Sequence, residues 1–194
     1  MKGVCLQSAS LIEAKLGDAR LDGCDGGSAI FQRAVFSRAT LVGVNLRDTD
    51  LAGADLQGAK LSNITLCGVK LLQGKLQGAV LVNCDLTAAN LTQAHLEGVR
   101  LEDVNLCNVK ARHARFGNAQ WVRVAARSGE FGEVRAPDTV MEDVDFTGAR
   151  FLSSSLVRGK WQRMNFKGAV LDHCDLSNLE GTDLDFEGAR LPNA

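Results

Sequence analysis

Tyrosine is absent from this chain, and proline, tryptophan, methionine and histidine each occur no more than three times in 194 residues. No stretch approaches the ~18 consecutive apolar residues of a membrane-spanning helix, so the sequence predicts no membrane association. The segment 1–5 lacks the apolar core of a secretory signal peptide. With 22 basic and 23 acidic residues the formal net charge is −1, and we expect one soluble, cytoplasmic domain over residues 1–194.

Clusters of residues that bind metals or perform catalysis are also missing from the sequence. The three histidines, His95, His113 and His173, have no zinc-type spacing to each other or to cysteine. No phosphate-binding loop, dinucleotide fingerprint or nucleophile elbow occurs. We therefore expect no metal, no cofactor and no catalytic residue, and we interpret the protein as something other than an enzyme.

A five-residue repeat runs through almost the whole chain. Counting by fives from Leu6 to Leu191 gives 38 positions, of which 22 are Leu, eight Phe, two Trp and one Met. All phenylalanine and tryptophan residues of the chain lie on this register, and only five Gly or Ala residues interrupt it. A period of five fits neither the helical period of 3.6 nor the strand period of 2, so it indicates a solenoid.

The interruptions of the register are expected to be local. Gly26 removes one large central side chain and predicts a dent or a close backbone approach. Trp121, Met141 and Trp161 are separated by four repeat units each and should stack on one side of the core. There they could compensate for alanines at other central positions, and core filling is the expected role of both tryptophans.

Units such as Ala54-Asp55-Leu56-Gln57-Gly58 and Ala89-Asn90-Leu91-Thr92-Gln93 resemble the consensus of the pentapeptide repeat family. The resemblance covers nearly the whole chain. It implies an all-β fold, a right-handed quadrilateral β-helix in which each side is one pentapeptide and each coil takes four of them. The 38 units would make nine to ten coils, and a bacterial source is expected.

Charges alternate in bands along the chain, with 110–127 and 150–167 basic and 130–145 and 172–190 acidic. Folded at four pentapeptides per coil, opposite charges meet, so we predict self-neutralising layers. We also expect no nucleic-acid binding, because no face collects uncompensated Lys and Arg. The predicted ion ladder is Asp103, Arg123, Asp143, Arg163 and Asp183, with Lys110–Glu130–Arg150, Asp18–Arg38, Asp138–Arg158 and Lys167–Glu187 as further members.

Two surfaces are candidate interfaces. The first is an apolar strip of outward-facing residues: Val42, Val80, Val82, Val122 and Val140. These valines would form a partner-binding face; the alternative is that valine occurs there only because it favours an extended backbone. The second is the N-terminal coil, open to a homodimer contact or to a partner: Leu6, Leu11, Leu16 and Leu21.

The function predicted from these features is a non-enzymatic scaffold or adaptor that binds an unidentified protein through a rigid rod. The alternative comes from the family resemblance, since some members mimic duplex DNA and protect DNA gyrase from quinolones. Their surfaces are strongly acidic and many dimerise through a C-terminal cap, whereas this chain is nearly neutral and should lack such a cap.

Overall fold

A computed structural model describes residues 1–193, and in it the chain winds into stacked coils joined by parallel β-pairings. The described residues contain twelve strands and no helix, and hence no helix long and apolar enough to cross a membrane. The strands are β1 (Arg20–Asp22), β2 (Thr40–Val42), β3 (Lys60–Ser62), β4 (Val80–Val82), β5 (Arg100–Glu102), β6 (Gln120–Ala125), β7 (Glu130–Gly132), β8 (Val140–Asp145), β9 (Arg150–Leu152), β10 (Lys160–Asn165), β11 (Val170–Asp172) and β12 (Glu180–Asp185).

Successive coils pair with an offset of four pentapeptides, on four sides of each turn. The four pairings between the second and third coils are Arg20↔Thr40, Asp25↔Asn45, Ile30↔Asp50 and Val35↔Asp55. One side forms a nine-stranded sheet in the order β1-β2-β3-β4-β5-β6-β8-β10-β12, and another forms a three-stranded sheet, β11-β9-β7. The predicted all-β solenoid with four pentapeptide sides per coil is confirmed.

The number of turns is slightly lower than the nine to ten predicted. Nine strands stacked in one sheet enclose about eight complete turns. Beyond them the register continues only through isolated bridges, such as Lys2↔Asp22 at one end and Val170↔Arg190 at the other. The prediction counted all 38 units, including those that precede β1 and follow β12 and so lie outside the nine-stranded sheet.

A tight turn closed by a hydrogen bond forms most corners of the coil, whereas the corners along the nine-stranded sheet, such as those at Gly23 and Gly43, are bends without that hydrogen bond. In the first of the tight turns, the Ala9 N–H donates to the Leu6 carbonyl at 2.9 Å, and Ser8 has a φ of 56°. A positive φ at the third turn residue is the mark of a type II turn. It recurs at every fifth residue from Gly3 to Asn193, and most of these residues are not glycine. They hold this conformation because each N–H donates to the next coil, as Ser8 does to Gly27 at 2.9 Å.

The core is a line of large central side chains with small inward residues between them. Trp121 faces Met141, and Met141 faces Trp161, in the predicted register, and both tryptophans are buried. Phenylalanines one coil apart stack face to face, with ring centroids 4.8 Å apart for Phe131–Phe151. Such stacks add about 0.5–1.5 kcal/mol each beyond the area that they bury.

Small central residues leave little empty space. The aromatic cluster around Trp121 and Ala136 encloses a cavity of about 10 Å³, which is at the lower limit of the space that one water molecule needs. At Gly26 the predicted dent is filled by neighbours: a Cβ there would lie 3.1 Å from Leu46 Cδ2 and 3.5 Å from Phe31 Cε2. The interior is therefore close-packed even where the repeat fails.

Three buried polar side chains, Thr139, Ser154 and Trp161, are hydrogen-bonded, whereas the buried indole N–H of Trp121 has no hydrogen-bond partner within residues 1–193. The Trp161 Nε1 donates to Thr139 Oγ1 at 3.2 Å, and the Thr139 hydroxyl lies 3.4 Å from the Ala136 carbonyl. Ser154 Oγ donates to the Phe131 carbonyl at 2.7 Å. These hydrogen bonds fix the orientation of one tryptophan in the core, because leaving its indole N–H unpaired would cost about 1–3 kcal/mol.

Candidate functional site: a basic groove along one corner

Five ion pairs between coils lie at the positive-φ corner positions. In each, an arginine meets a carboxylate of the preceding coil. The shortest N···O distances are 2.9 Å for Glu13–Arg33, 2.6 Å for Asp18–Arg38, 2.6 Å for Asp103–Arg123, 2.7 Å for Asp138–Arg158 and 2.5 Å for Asp143–Arg163. The arginine hydrogen bonds hold the pKa values of Asp103 and Asp143 below their ordinary range.

The predicted five-residue ladder divides into two separate groups. Each arginine holds two carboxylates of the preceding coil: Arg123 holds Glu102 and Asp103, and Arg163 holds Glu142 and Asp143. Within residues 1–193 no ion pair of 4.0 Å or less joins Arg163 to Asp183 or Arg123 to Asp143. In this column each arginine contacts acids of the preceding coil, so each group ends at its own arginine.

Charged residues away from the positive-φ positions behave less uniformly. Lys167 contacts Glu187 at 2.9 Å, as the ladder hypothesis expects. Across the described chain, Lys110, Glu130 and Arg150 form no ion pair with one another, although they are in register. Sharing a column is therefore not sufficient for pairing.

The candidate valine face lies on the nine-stranded sheet, but its apolar residues do not touch as a continuous strip. In the register of that sheet, Val42 and Val82 are separated by Ser62, and Val82 and Val122 by Glu102. Val140 is 48% exposed, and the other four candidate valines are half-buried.

The N-terminal coil presents part of the predicted end surface. Leu6, Leu11 and Leu16 are half-buried, but Leu21 is only 1% exposed. It is covered because residues 1–3 pair with the strand that contains it, and the Asp22 N–H donates to the Met1 carbonyl at 3.0 Å. Leu21 is therefore not an end residue, and that part of the prediction is wrong.

An open groove, absent from the sequence predictions, follows one corner of the rod across seven coils. Its volume is about 960 Å³. One rim consists of corner residues that recur once per coil, from Arg33 to Ser153, and the other of residues two positions later, from Lys75 to Ser155. Between the rims lie small inward residues such as Ala94 and Ala114, both 0% exposed. Because small residues separate two rows of long ones, the corner forms a trough.

The second rim carries four basic or titratable side chains in direct register, which we call the basic stripe: Lys75, His95, Arg115 and Arg135. His95 lies 3.7 Å from Glu97. In residues 1–193, Lys75, Arg115 and Arg135 have no carboxylate within 4.0 Å. The prediction that every basic layer is neutralised is wrong at this corner.

The error has a simple origin. Arg135 lies in an acidic band of the sequence, yet it is stacked on Arg115 from the neighbouring basic band. By contrast, Arg112 and Arg127 of the basic band find carboxylates at 2.7 Å and 2.6 Å. Tabulating the sequence coil by coil would have revealed the stripe, whereas counting charge by band concealed it.

The opposite rim is closer to neutral. Gln73 Nε2 donates to Gln93 Oε1 at 3.0 Å. The Glu133 carboxylate lies 3.4 Å from His113 and accepts from Arg112, which lowers the Glu133 pKa mainly through that hydrogen bond. Across residues 1–193 no group of three or more His, Cys, Asp or Glu residues is arranged to hold a metal ion.

Comparison with known proteins agrees with the fold. The family profile described as Pentapeptide repeats matches eight copies, over residues 29–68, 68–103, 84–120 and 161–194. No curated protein sequence matches the chain.

Among solved structures, HetL from the cyanobacterium Nostoc sp. strain PCC 7120, a pentapeptide repeat protein involved in heterocyst differentiation regulation, is similar at 22% identity. The match covers 99% of this chain and 86% of HetL with a TM-score of 0.51. Full-length QnrB1, a plasmid-mediated fluoroquinolone resistance protein, matches at 15% identity over 100% and 93% of the two chains, with a TM-score of 0.47.

Proposed function

Since the chain belongs to the pentapeptide repeat family, we propose that it is a non-enzymatic scaffold that binds a partner protein along the side of its rod. The observation that carries the proposal is the corner groove, which runs across seven coils and holds exposed side chains at fixed spacing. A long, regular trough suits an extended partner segment better than a compact substrate, because small-molecule sites enclose most of their ligand.

The titration behaviour of the surface supports binding over catalysis. Every carboxyl of residues 1–193 with a resolved shift has a lowered pKa, and for those at the corners the main cause is a hydrogen bond from arginine. A general acid needs a raised carboxyl pKa so that it keeps its proton near neutral pH. Permanently charged carboxylates are suited to ion pairing.

The valine face is the second surface in the proposal. Val140 is exposed on it, and the half-buried valines of the neighbouring strands add apolar area between polar residues. Such a surface could contribute to a protein interface, whose rim is normally polar.

Site-specific photocrosslinking in the native host tests the function and locates the surface. A photoreactive residue is placed at Ser153 in the groove, at Val82 on the valine face, or at Asn178 near the C-terminal end as a control. We expect one protein adduct from the groove position, a weaker or absent adduct from the valine face, and none from the control. Absence of a protein adduct at both surfaces would refute the scaffold function.

The alternative function is protection of DNA gyrase. The identity of the crosslinked protein and a supercoiling assay distinguish it from the general scaffold function. Purified gyrase is assayed with a quinolone in the presence and absence of the protein. Under the proposal, supercoiling is unchanged and gyrase subunits are not crosslinked. Restored supercoiling together with a gyrase adduct would replace the general scaffold function with gyrase binding.

A further inference from the structure

The basic stripe is a column of basic residues held at strand spacing, in which the charges of Arg115 and Arg135 lie directly opposite each other. Lys75, His95, Arg115 and Arg135 pair in parallel register, so neighbouring backbones are about 4.8 Å apart. Like charges directly opposite each other across strands are destabilising. The column at the Asp103–Arg163 corner avoids this because acids alternate with its arginines.

Three of the four residues of the stripe have no counter-charge close by within the described part of the molecule. Lys75, Arg115 and Arg135 are all exposed and have no carboxylate within 4.0 Å in residues 1–193. The adjacent Asp55 uses its carboxylate to accept the Gln57 N–H at 3.0 Å instead. Seven arginines elsewhere in the chain contact a carboxylate of another coil. Within residues 1–193, Arg150 and Arg190 also have no carboxylate within 4.0 Å, but only at this corner do two such arginines, Arg115 and Arg135, pair directly in register.

The groove beside the stripe has the dimensions of an extended peptide. From Arg33 to Ser153 it spans six coil spacings, about 29 Å, which an extended strand would cross with roughly nine residues. Its rims offer guanidinium, amide, imidazole and hydroxyl groups, while its floor is formed by buried small residues. The planar guanidinium group of arginine fits a carboxylate, which it can bind through two parallel hydrogen bonds.

Features of the groove disfavour nucleic acid as the occupant. Single-stranded nucleic acid is normally held by bases stacked on aromatic rings, and no Phe or Trp lines the groove along the described chain. The Glu133 carboxylate also lies on the rim, where it would repel a continuous phosphate backbone. A peptide can place neutral residues opposite Glu133 and acidic ones opposite the stripe.

We propose that the corner groove binds an acidic, extended segment of the partner protein, with its carboxylates on Lys75, Arg115 and Arg135. This inference rests on the proposed scaffold function and specifies the chemistry of the partner. It assigns to the stripe the counter-charges that the coil itself does not supply.

Fluorescence anisotropy with simple probes tests the inference. The labelled probes are a ten-residue polyglutamate peptide, a ten-residue polyglutamine peptide and a ten-nucleotide oligo-dT. The test variant is Arg115→Gln/Arg135→Gln, and the matched control is Lys60→Gln/Lys110→Gln, which changes the net charge equally at exposed positions outside the groove. Thermal unfolding checks that both variants fold.

We expect polyglutamate to bind the parent, polyglutamine to show no binding, and oligo-dT to bind more weakly than polyglutamate. Binding should weaken at least tenfold in the test variant and less than twofold in the control. Equal weakening in both variants would show general charge attraction and overturn the inference. Tighter binding of oligo-dT would overturn it in favour of nucleic acid. A Val82 protein adduct without polyglutamate binding would refute the acidic segment while leaving the scaffold function standing.

Discussion

Replacing Gly159 with alanine should destabilise the fold through one specific collision. Gly159 is the small inward residue two positions before Trp161. An added Cβ would overlap the Trp161 indole at Nε1, lie 2.8 Å from its Cε2 and 3.2 Å from Leu179 Cδ1. The indole is buried and donates to Thr139, so it cannot move aside without losing that hydrogen bond.

The expected magnitude combines three effects. Overpacking a close-packed core costs about 1–3 kcal/mol, and losing one neutral hydrogen bond costs about 0.5–1.5 kcal/mol. Replacing glycine by alanine reduces the conformational entropy of the unfolded chain, which stabilises the folded state by about 0.4–1 kcal/mol. The free energy of unfolding should therefore fall by about 0.5–4 kcal/mol, measured as a lower urea midpoint followed by circular dichroism.

A matched control and a second-site change make the reasoning testable. Gly117→Ala places its Cβ 3.5 Å from Pro137 Cγ, an ordinary contact, so the urea midpoint should stay unchanged or rise slightly. In a double-mutant cycle, Trp161→Phe should remove most of the cost of Gly159→Ala, because phenylalanine lacks the ring that carries Nε1. A Gly159→Ala protein as stable as the parent, or a cycle without coupling, would refute the collision.

Three further outcomes are expected. The hydrogen bonds of Arg123 lower the pKa of the Asp103 carboxyl from 3.8. The stabilisation that this ion pair gives the folded state is present above the unfolded-state pKa and is lost as the pH falls through the folded-state pKa. The thermal midpoint should therefore decrease as the pH is lowered below about 4, and it should decrease less steeply in Arg123→Gln. Equal slopes would contradict this. Thr139→Val removes the acceptor of Trp161 Nε1 and should cost about 1–3 kcal/mol in urea unfolding, whereas Thr139→Ser should keep most of the stability. Sedimentation velocity at micromolar concentration should show self-association through the N-terminal coil that Leu11→Lys abolishes; a monomeric parent would exclude it.

The sequence predicted the features that follow from the repeat itself. A strict period of five identifies which side chains point inward, and four such units per coil identify which ones stack, so the Trp121–Met141–Trp161 register could be derived directly. Corner ion pairs such as Asp138–Arg158 were predictable for the same reason.

The sequence did not predict which hydrogen-bond partner a charged side chain selects, or which residues of the first coil are covered. Asp55 and Lys75 are neighbours in register, but the carboxylate prefers a backbone N–H over the lysine, and no column count reveals that preference. Leu21 is buried because the first residues of the chain happen to lie over it. The groove arises from the difference in length between neighbouring rows of side chains, a property of the surface that binary patterning does not describe.

The offset of one full coil between hydrogen-bonded neighbours has a mechanical consequence. Hydrogen bonds between coils join residues that lie four pentapeptides apart, so they run along the rod and bear tension placed on its two ends. A coil that peels away adds about 4.8 Å to the folded rod but releases four pentapeptides, roughly 66–72 Å of contour length. A force–extension trace should therefore show regularly spaced ruptures of nearly that length, beginning at the half-buried terminal coils. Compression along the rod should not separate the coils in this way, because the core between them is already close-packed.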